Sequence, residues 1–232
     1  WKHFFGRGLV EPEDDMRVTN PATHPRLLSA LAENFIKSGF DLKQLVRAIV
    51  RSKTYQLSAM PNEFNQKDKQ NFSRYFPQRL TAEILYDSLH QVTGAEASFS
   101  GLPSGTRAVQ LPDAGFDNYF LKVFGKPKGD SSCECERSQD ASLAQSLHLL
   151  NSKEIHTMLT SDTGRAAQMA KNDKIAAKTH VAELYYWVYS RPPVEEELKV
   201  AIAHIEKSKE KKQAYEDIVW ALVNTKEFLF NH

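Results

Sequence analysis

The stretch Pro25-Arg26-Leu27-Leu28-Ser29-Ala30-Leu31-Ala32-Glu33-Asn34-Phe35-Ile36-Lys37-Ser38-Gly39-Phe40-Asp41-Leu42-Lys43-Gln44-Leu45-Val46-Arg47-Ala48-Ile49-Val50 decides the fold. Leu27, Leu28, Leu31, Phe35 and Ile36 recur at spacings of three and four, which lines them along one side of a 3.6-residue helix. Pro25 suits the first turn, where its missing N–H costs no hydrogen bond. Gly39 ends the run, as glycine commonly does just past a helix. Asp41 opens a second run, with Leu42, Leu45, Val46, Ile49 and Val50 on the face expected to be buried. The pattern is a helical hairpin, and it recurs near the other end of the chain. Ala48-Ile49-Val50-Arg51-Ser52-Lys53-Thr54-Tyr55-Gln56-Leu57 aligns with Ala221-Leu222-Val223-Asn224-Thr225-Lys226-Glu227-Phe228-Leu229-Phe230. Leu42, Leu45 and Val46 align with Tyr215, Ile218 and Val219, and upstream Leu28 matches Leu198 and Phe35 matches Ile205. Two related hairpins, one at each end, follow from this repeat.

Between them the chain reads as further helices. One runs from about Leu80 to Thr93, with Leu80, Ile84, Leu85, Leu89 and Val92 inward and Gly94 after it. Helices resume at Ala141, where Leu143, Leu147 and Leu150 form a stripe. Asn151 with Glu154 reads as a capping-box start. A small helix is expected near Arg165–Lys171, then a longer one carrying Ile175, Ala182, Tyr185, Tyr186 and Tyr189. Pro192-Pro193 breaks the chain, and Glu195, Glu196 and Glu197 sit where a helix N-terminus favours acids. Trp1-Lys2-His3-Phe4-Phe5 resembles the last turns of a helix, and residues 58–78 are polar without a period. Residues 94–129 hold six of the ten glycines and no helical period, and Arg107–Leu111 suits a short strand. The expectation is a mainly α bundle of about seven to nine helices with a long irregular Gly-rich segment at about 94–140. Residues 1–232 are expected to form one domain, with sub-blocks 1–93 and 141–232 joined by 94–140.

Composition agrees. A chain of 232 residues, 41% hydrophobic, can bury a sizeable core. Ten glycines and ten prolines are fewer than average usage gives, which favours helices over a sandwich or barrel. With 30 Lys and Arg against 29 Asp and Glu, the chain lacks the basic balance of a general nucleic-acid binder. No apolar run reaches the ~20 residues that span a bilayer, so no membrane span is expected. Cys133 and Cys135 stand one residue apart, too close for an unstrained disulfide. The chain opens without Met or a signal peptide and reads as a piece of a longer protein.

Several ordered motifs carry a resemblance. Trp1-Lys2-His3-Phe4-Phe5-Gly6-Arg7-Gly8-Leu9-Val10 leads through Asp14-Asp15-Met16-Arg17 to Asn20-Pro21-Ala22-Thr23-His24-Pro25. Then follow Arg79-Leu80-Thr81-Ala82-Glu83, Cys133-Glu134-Cys135-Glu136-Arg137, Gln145-Ser146-Leu147-His148-Leu149-Leu150-Asn151 and Asn224-Thr225-Lys226-Glu227-Phe228. Together these resemble the planctomycete-type domain of unknown function 1553, also called PSD1, over essentially the whole chain. The resemblance implies the C-terminal part of an exported, periplasmic or cell-surface protein. It also implies an upstream partner domain of the 1549 type and, in many members, a cytochrome c-like domain carrying haem c. It supplies no catalytic residue and no cofactor for this stretch. Members generally place Thr or Ser after the proline of an Arg-x-Pro motif; here Val194 stands there, and the usual hydroxyl cap is missing.

Candidate chemistry is sparse. Arg79, Glu83 and Asp87 fall on one side of a helix and could join Arg17 or Arg137 in a charge network, or form an acid–base pair in a cleft. Asp14, Asp15, Arg17, Glu83 and Arg137 are the set from which a hydrolase-type site near 94–140 could be assembled. Cys133, Cys135 and His148 are the metal candidates, although Cys-x-Cys is tighter than the usual zinc spacing and a fourth ligand is unassigned. Glu11, Glu13, Asp14 and Asp15 match no EF-hand loop, and ion pairing with Arg7 or Arg17 explains them better. Tyr185, Tyr186, Trp187 and Tyr189 cannot all point inward, so Tyr186 or Trp187 faces another surface. The sequence therefore favours a helical binding or assembly module, with a hydrolase and a metal-binding module as alternatives.

Overall fold

The computed structural model describes residues 1–112, 115–127 and 143–231. Among them are twelve α-helices and no strand, so the mainly α expectation holds. The count exceeds seven to nine because Lys2–Phe5, Tyr119–Val123 and Lys226–Leu229 are helices of only four or five residues. The chain divides into two compact units, residues 1–78 and 79–231.

The first unit holds α1 (Lys2–Phe5), α2 (Pro25–Lys37) and α3 (Leu42–Val50). Asp41 caps α3, its carboxylate accepting the Gln44 amide at 3.0 Å. Phe5, Leu9, Ile49 and Phe72 form a small core, with Trp1 stacked on Phe5 at 4.2 Å between ring centroids. The polar stretch after α3 is organised by its own side chains rather than by a period. Asn62 accepts the amides of Phe64 and Asn65 at 2.9 and 3.0 Å, and Asp68 accepts those of Gln70 and Asn71 at 3.0 and 2.9 Å.

Here one expectation fails. The apolar face of this hairpin is covered only in part: Ile49 is buried, and Leu27, Leu28, Leu31 and Leu45 pack half-buried against the small core, but other positions of the stripe stay in water. Ile36, Leu42 and Val46 are 59%, 66% and 41% exposed. Periodicity reports that a helix has an apolar side, not that something covers it.

The second unit holds α4 (Ala82–Thr93), α5 (Tyr119–Val123), α6 (Leu143–Asn151), α7 (Lys153–Leu159), α8 (Arg165–Lys171), α9 (Ala177–Tyr189), α10 (Glu195–Lys207), α11 (Lys211–Val223) and α12 (Lys226–Leu229). Its core includes Leu85, Leu89, Val92, Phe120, Val181, Leu184, Val219 and Val223. Ile84, expected inward, is 44% exposed, because the neighbouring Leu85 takes the inward position. The α7 cap is Ser152, whose hydroxyl accepts the Ile155 amide at 3.3 Å; Asn151 instead closes α6. Residues Ala108–Gln110 form a 3₁₀ turn where a short strand was expected. The cause is Asp87 on α4, whose carboxylate gathers the Ala108 and Val109 amides at 2.6 and 3.3 Å. Two glycines let α4 and α8 meet: Gly94 has φ +73°, and a Cβ at Gly164 would lie 3.0 Å from the Thr93 carbonyl oxygen.

Each unit contains one of the repeated hairpins. Both α2 and α10 have 13 residues, and α3 and α11 stop at the aligned Val50 and Val223. After the stop, Ser52 accepts the Tyr55 amide at 3.2 Å and the aligned Thr225 accepts the Phe228 amide at 3.3 Å. At α10 the missing hydroxyl cap is offset by Glu197, which accepts the Val194 amide at 2.8 Å. Arg191 holds that carboxylate through Nη1 and Nη2, both at 2.9 Å, and reaches Glu227 of α12 at 2.6 and 2.8 Å. One guanidinium thereby joins the starts of α10 and α12.

Candidate functional site

Polar side chains of the second unit converge where α4, α5, α6 and α7 meet. Asn118, the cap of α5, reaches the Glu154 carboxylate of α7 at 3.5 Å, and the Tyr86 hydroxyl lies beside both. His148 on α6 places Nε2 3.9 Å from the other Glu154 oxygen. Its ring packs against Tyr119 and Phe120, with centroids at 5.2 and 5.6 Å. His90 packs tilted against Tyr86, with ring centroids 4.5 Å apart, and its Nδ1 bonds the Ala95 carbonyl at 2.8 Å.

Burial governs the electrostatics of this cluster. It pushes the Tyr86 phenol up to about 12, helped by the Glu154 carboxylate. It lowers His90 and His148, with Glu154 opposing the shift in both. Both rings keep a buried Nε2 without a hydrogen-bond partner. In the neutral His90 ring, Nδ1–H donates to the Ala95 carbonyl and Nε2 is left as the acceptor. The group is a packed polar junction. Among the described residues, no three or more His, Cys, Asp or Glu side chains are placed to hold a metal ion.

The residues singled out in the sequence are distributed as follows. Asp15 and Arg17 come together in the first unit as a two-bond pair, both contacts at 2.7 Å, and the guanidinium holds the Asp15 carboxyl below its ordinary value. Asp14 is exposed beside them. Glu11 and Glu13 meet Lys2, at 3.5 and 2.5 Å, rather than Arg7. Glu83 lies in the first turn of α4, in the second unit. Cys133, Cys135 and Arg137 fall outside the described residues, so of the metal candidates only His148 has a described place. Glu154, Asn118 and Tyr86 were missed as its neighbours. The Glu154 spacing to Asn151 was legible as a cap signal, and that masked its role toward His148.

The aromatic run on α9 also resolves. Tyr185 and Tyr189 are buried, and the Tyr189 hydroxyl donates to the Leu222 carbonyl at 3.1 Å. Trp187 lies over the Arg165 guanidinium, 3.9 Å from its ring centroid. Arg165 in turn donates to the Val92 and Gln91 carbonyls at 2.9 and 3.1 Å, closing the end of α4. Tyr186 stays 55% exposed.

In the first unit the notable surface is apolar. Met16, Leu28, Leu31, Phe35 and Leu45 line an open groove of about 370 Å³ beside the buried Ile49. Phe40 packs edge-on against the lining Phe35, 5.4 Å between ring centroids, and the same hairpin leaves Ile36, Leu42 and Val46 exposed. Such a surface can bind by apolar contact; it presents no paired nucleophile and base.

No curated protein and no solved structure matches the chain. A family model described as "PSD1: Protein of unknown function (DUF1553)" matches residues 1–205. With that match covering most of its length and the quoted motifs in order along it, the chain belongs to the PSD1 family, DUF1553.

Proposed function

We propose that the chain acts as a binding and assembly module, in which the second unit is a fixed scaffold and the first unit docks. One observation carries this reading: two aligned positions of the repeated hairpin are covered in one unit and exposed in the other. Tyr215 and Val219 on α11 are 3% and 1% exposed, whereas the aligned Leu42 and Val46 on α3 are 66% and 41% exposed. A helix that keeps the residues of a buried face while leaving them in water is disposed to bury them elsewhere. The family resemblance supplies the setting for the same proposal. It is an exported multidomain protein in which an upstream domain of the 1549 type, and a haem-bearing cytochrome c-like domain, accompany this module.

The test is a photo-crosslinking amino acid placed at Leu42 in the full-length protein. Cross-links from position 42 to another segment of the same polypeptide are expected. Position 200, where Val200 is 71% exposed on α10, serves as the comparison. If position 42 yields no more cross-links than position 200, the assembly reading falls.

A further inference from the structure

The repeat says more than that the α2–α3 face is bare; it says what shape of partner fits it. In the second unit, α11 is covered by helices, with α8 packed most closely and α9, α7 and α4 contributing. The buried residues of α8 are small or flexible, Ala166, Ala167 and Met169. By contrast, α3 packs chiefly on α2. The matched helix stops and the matched hydroxyl caps at Ser52 and Thr225 place the two hairpins in corresponding register. A helix is therefore the element missing above α3.

Charge defines the partner further. The hairpin exposes Arg26, Lys37, Lys43, Arg47, Arg51 and Lys53 against Glu33 and Asp41. Glu33 and Lys37 offset each other at 3.7 Å, and with Asp41 counted as an acid the remaining cations still outnumber it. At the position of Lys43 the covered hairpin has Glu216, which meets Lys212 at 3.5 Å. Lys43 and Arg47 thus put positive charge beside Leu42 and Val46, while the acid lining the groove, Glu13, is paired with Lys2 at 2.5 Å.

We propose that the α2–α3 face binds an amphipathic α-helix with a small apolar stripe of Ala and Met and acidic flanks, seated on Leu42 and Val46 and against the groove at Phe35. This rests on the assembly reading and names the partner of the same surface. The binding mode is a helix laid in an apolar groove, with Lys43 and Arg47 steering it.

Two synthetic 18-residue peptides test this, each with an Ala/Met stripe, one flanked by Glu and the other by Lys. The 232-residue chain is titrated with each and followed by amide NMR shifts. The Glu-flanked peptide is expected to bind, moving the Leu42, Val46 and Phe35 resonances, and to bind at least tenfold tighter than the Lys-flanked one. Leu42→Asp with Val46→Asp should abolish binding, while Val200→Asp leaves it unchanged; folding of the double variant is checked by unshifted resonances of the first-unit core at Phe5 and Phe72, and of Val200→Asp by those of the second-unit core. Equal binding of both peptides, no binding of the Glu-flanked peptide, or shifts elsewhere on the chain would each overturn the proposal. So would a chain that self-associates through this face, or one that prefers anionic vesicles to the peptide. Should the peptide fail while position 42 still cross-links within the full-length protein, the helix partner falls and the assembly reading stands.

Discussion

The Asp87 carboxylate accepts the Ala108 amide at 2.6 Å, joining the middle of α4 to a loop residue 21 positions away. Its side chain is 6% exposed and Arg107 lies 3.4 Å from it. An interior carboxylate with two amide donors and a cation is satisfied; removing it leaves buried N–H groups without acceptors. Asp87→Ala is expected to destabilise the second unit by about 2 kcal/mol, judged from the cost of orphaned buried donors. Amide exchange at residues 106–110 should accelerate more than exchange at α11. Unchanged exchange there would mean that the turn is held by something else.

Arg191 gives a pH prediction. Its hydrogen bonds to Glu197 hold that carboxyl below its ordinary value. The unfolded chain therefore takes up a proton at Glu197 before the folded one does, and stability falls as pH drops below the ordinary 4.5. Arg191→Gln should flatten the dependence of urea midpoint on pH between about 5 and 3, and cost about 1 kcal/mol at pH 7, since the pair is partly exposed. A steeper acid slope in the variant would contradict the assignment.

Three histidines, His180 buried and His90 and His148 half-buried, act in a higher window. His90, His148 and His180 are all lowered from their ordinary value, each mainly by burial. Below pH 6.5 the unfolded chain binds protons that the folded chain resists, so stability is complete above that value and declines as pH falls through it. His180→Gln, which keeps a partner for the Tyr215 hydroxyl now 3.1 Å away, should reduce the decline between pH 7 and 5. Proton NMR titration should find all three rings titrating below 6.5.

The contact of α4 with α8 depends on two positions without a side chain. Gly94 combines φ +73° with a would-be Cβ 3.2 Å from the Arg165 amide nitrogen. Gly94→Ala is expected to lower stability by about 2 kcal/mol, from conformational strain and close approach together. A melting temperature unchanged within a degree would show that α8 can shift freely.

Much of the helical order was legible because it is local. Pro25, Asp41 and the Glu195–Glu197 run announce helix starts within one turn, and α8 falls at Arg165–Lys171 as read. What escaped was what depends on distant partners. Asp87 belongs to a clear helix, yet nothing near it in the chain names Ala108. His148 and Glu154 lie six residues apart, on separate helices, and meet because Ser152 turns the chain between them. The bare face of α2 and α3 escaped for the opposite reason: an apolar stripe looks the same with or without a lid. The Gly-rich segment was legible as an interruption, but its 3₁₀ turn follows from a carboxylate on α4 rather than from its own residues.

The stacking of Trp1 on Phe5 has a spectroscopic consequence. Of the three tryptophans, Trp1 alone belongs to the first unit, while Trp187 and Trp220 belong to the second. With Trp187→Phe and Trp220→Phe, all remaining indole emission comes from the small aromatic core around Phe5 and Phe72. A single cuvette can then follow that core's melting while far-ultraviolet circular dichroism follows the helices as a whole. Two curves that separate on heating would make the first unit an independently melting body, and two that coincide would make the chain one cooperative body.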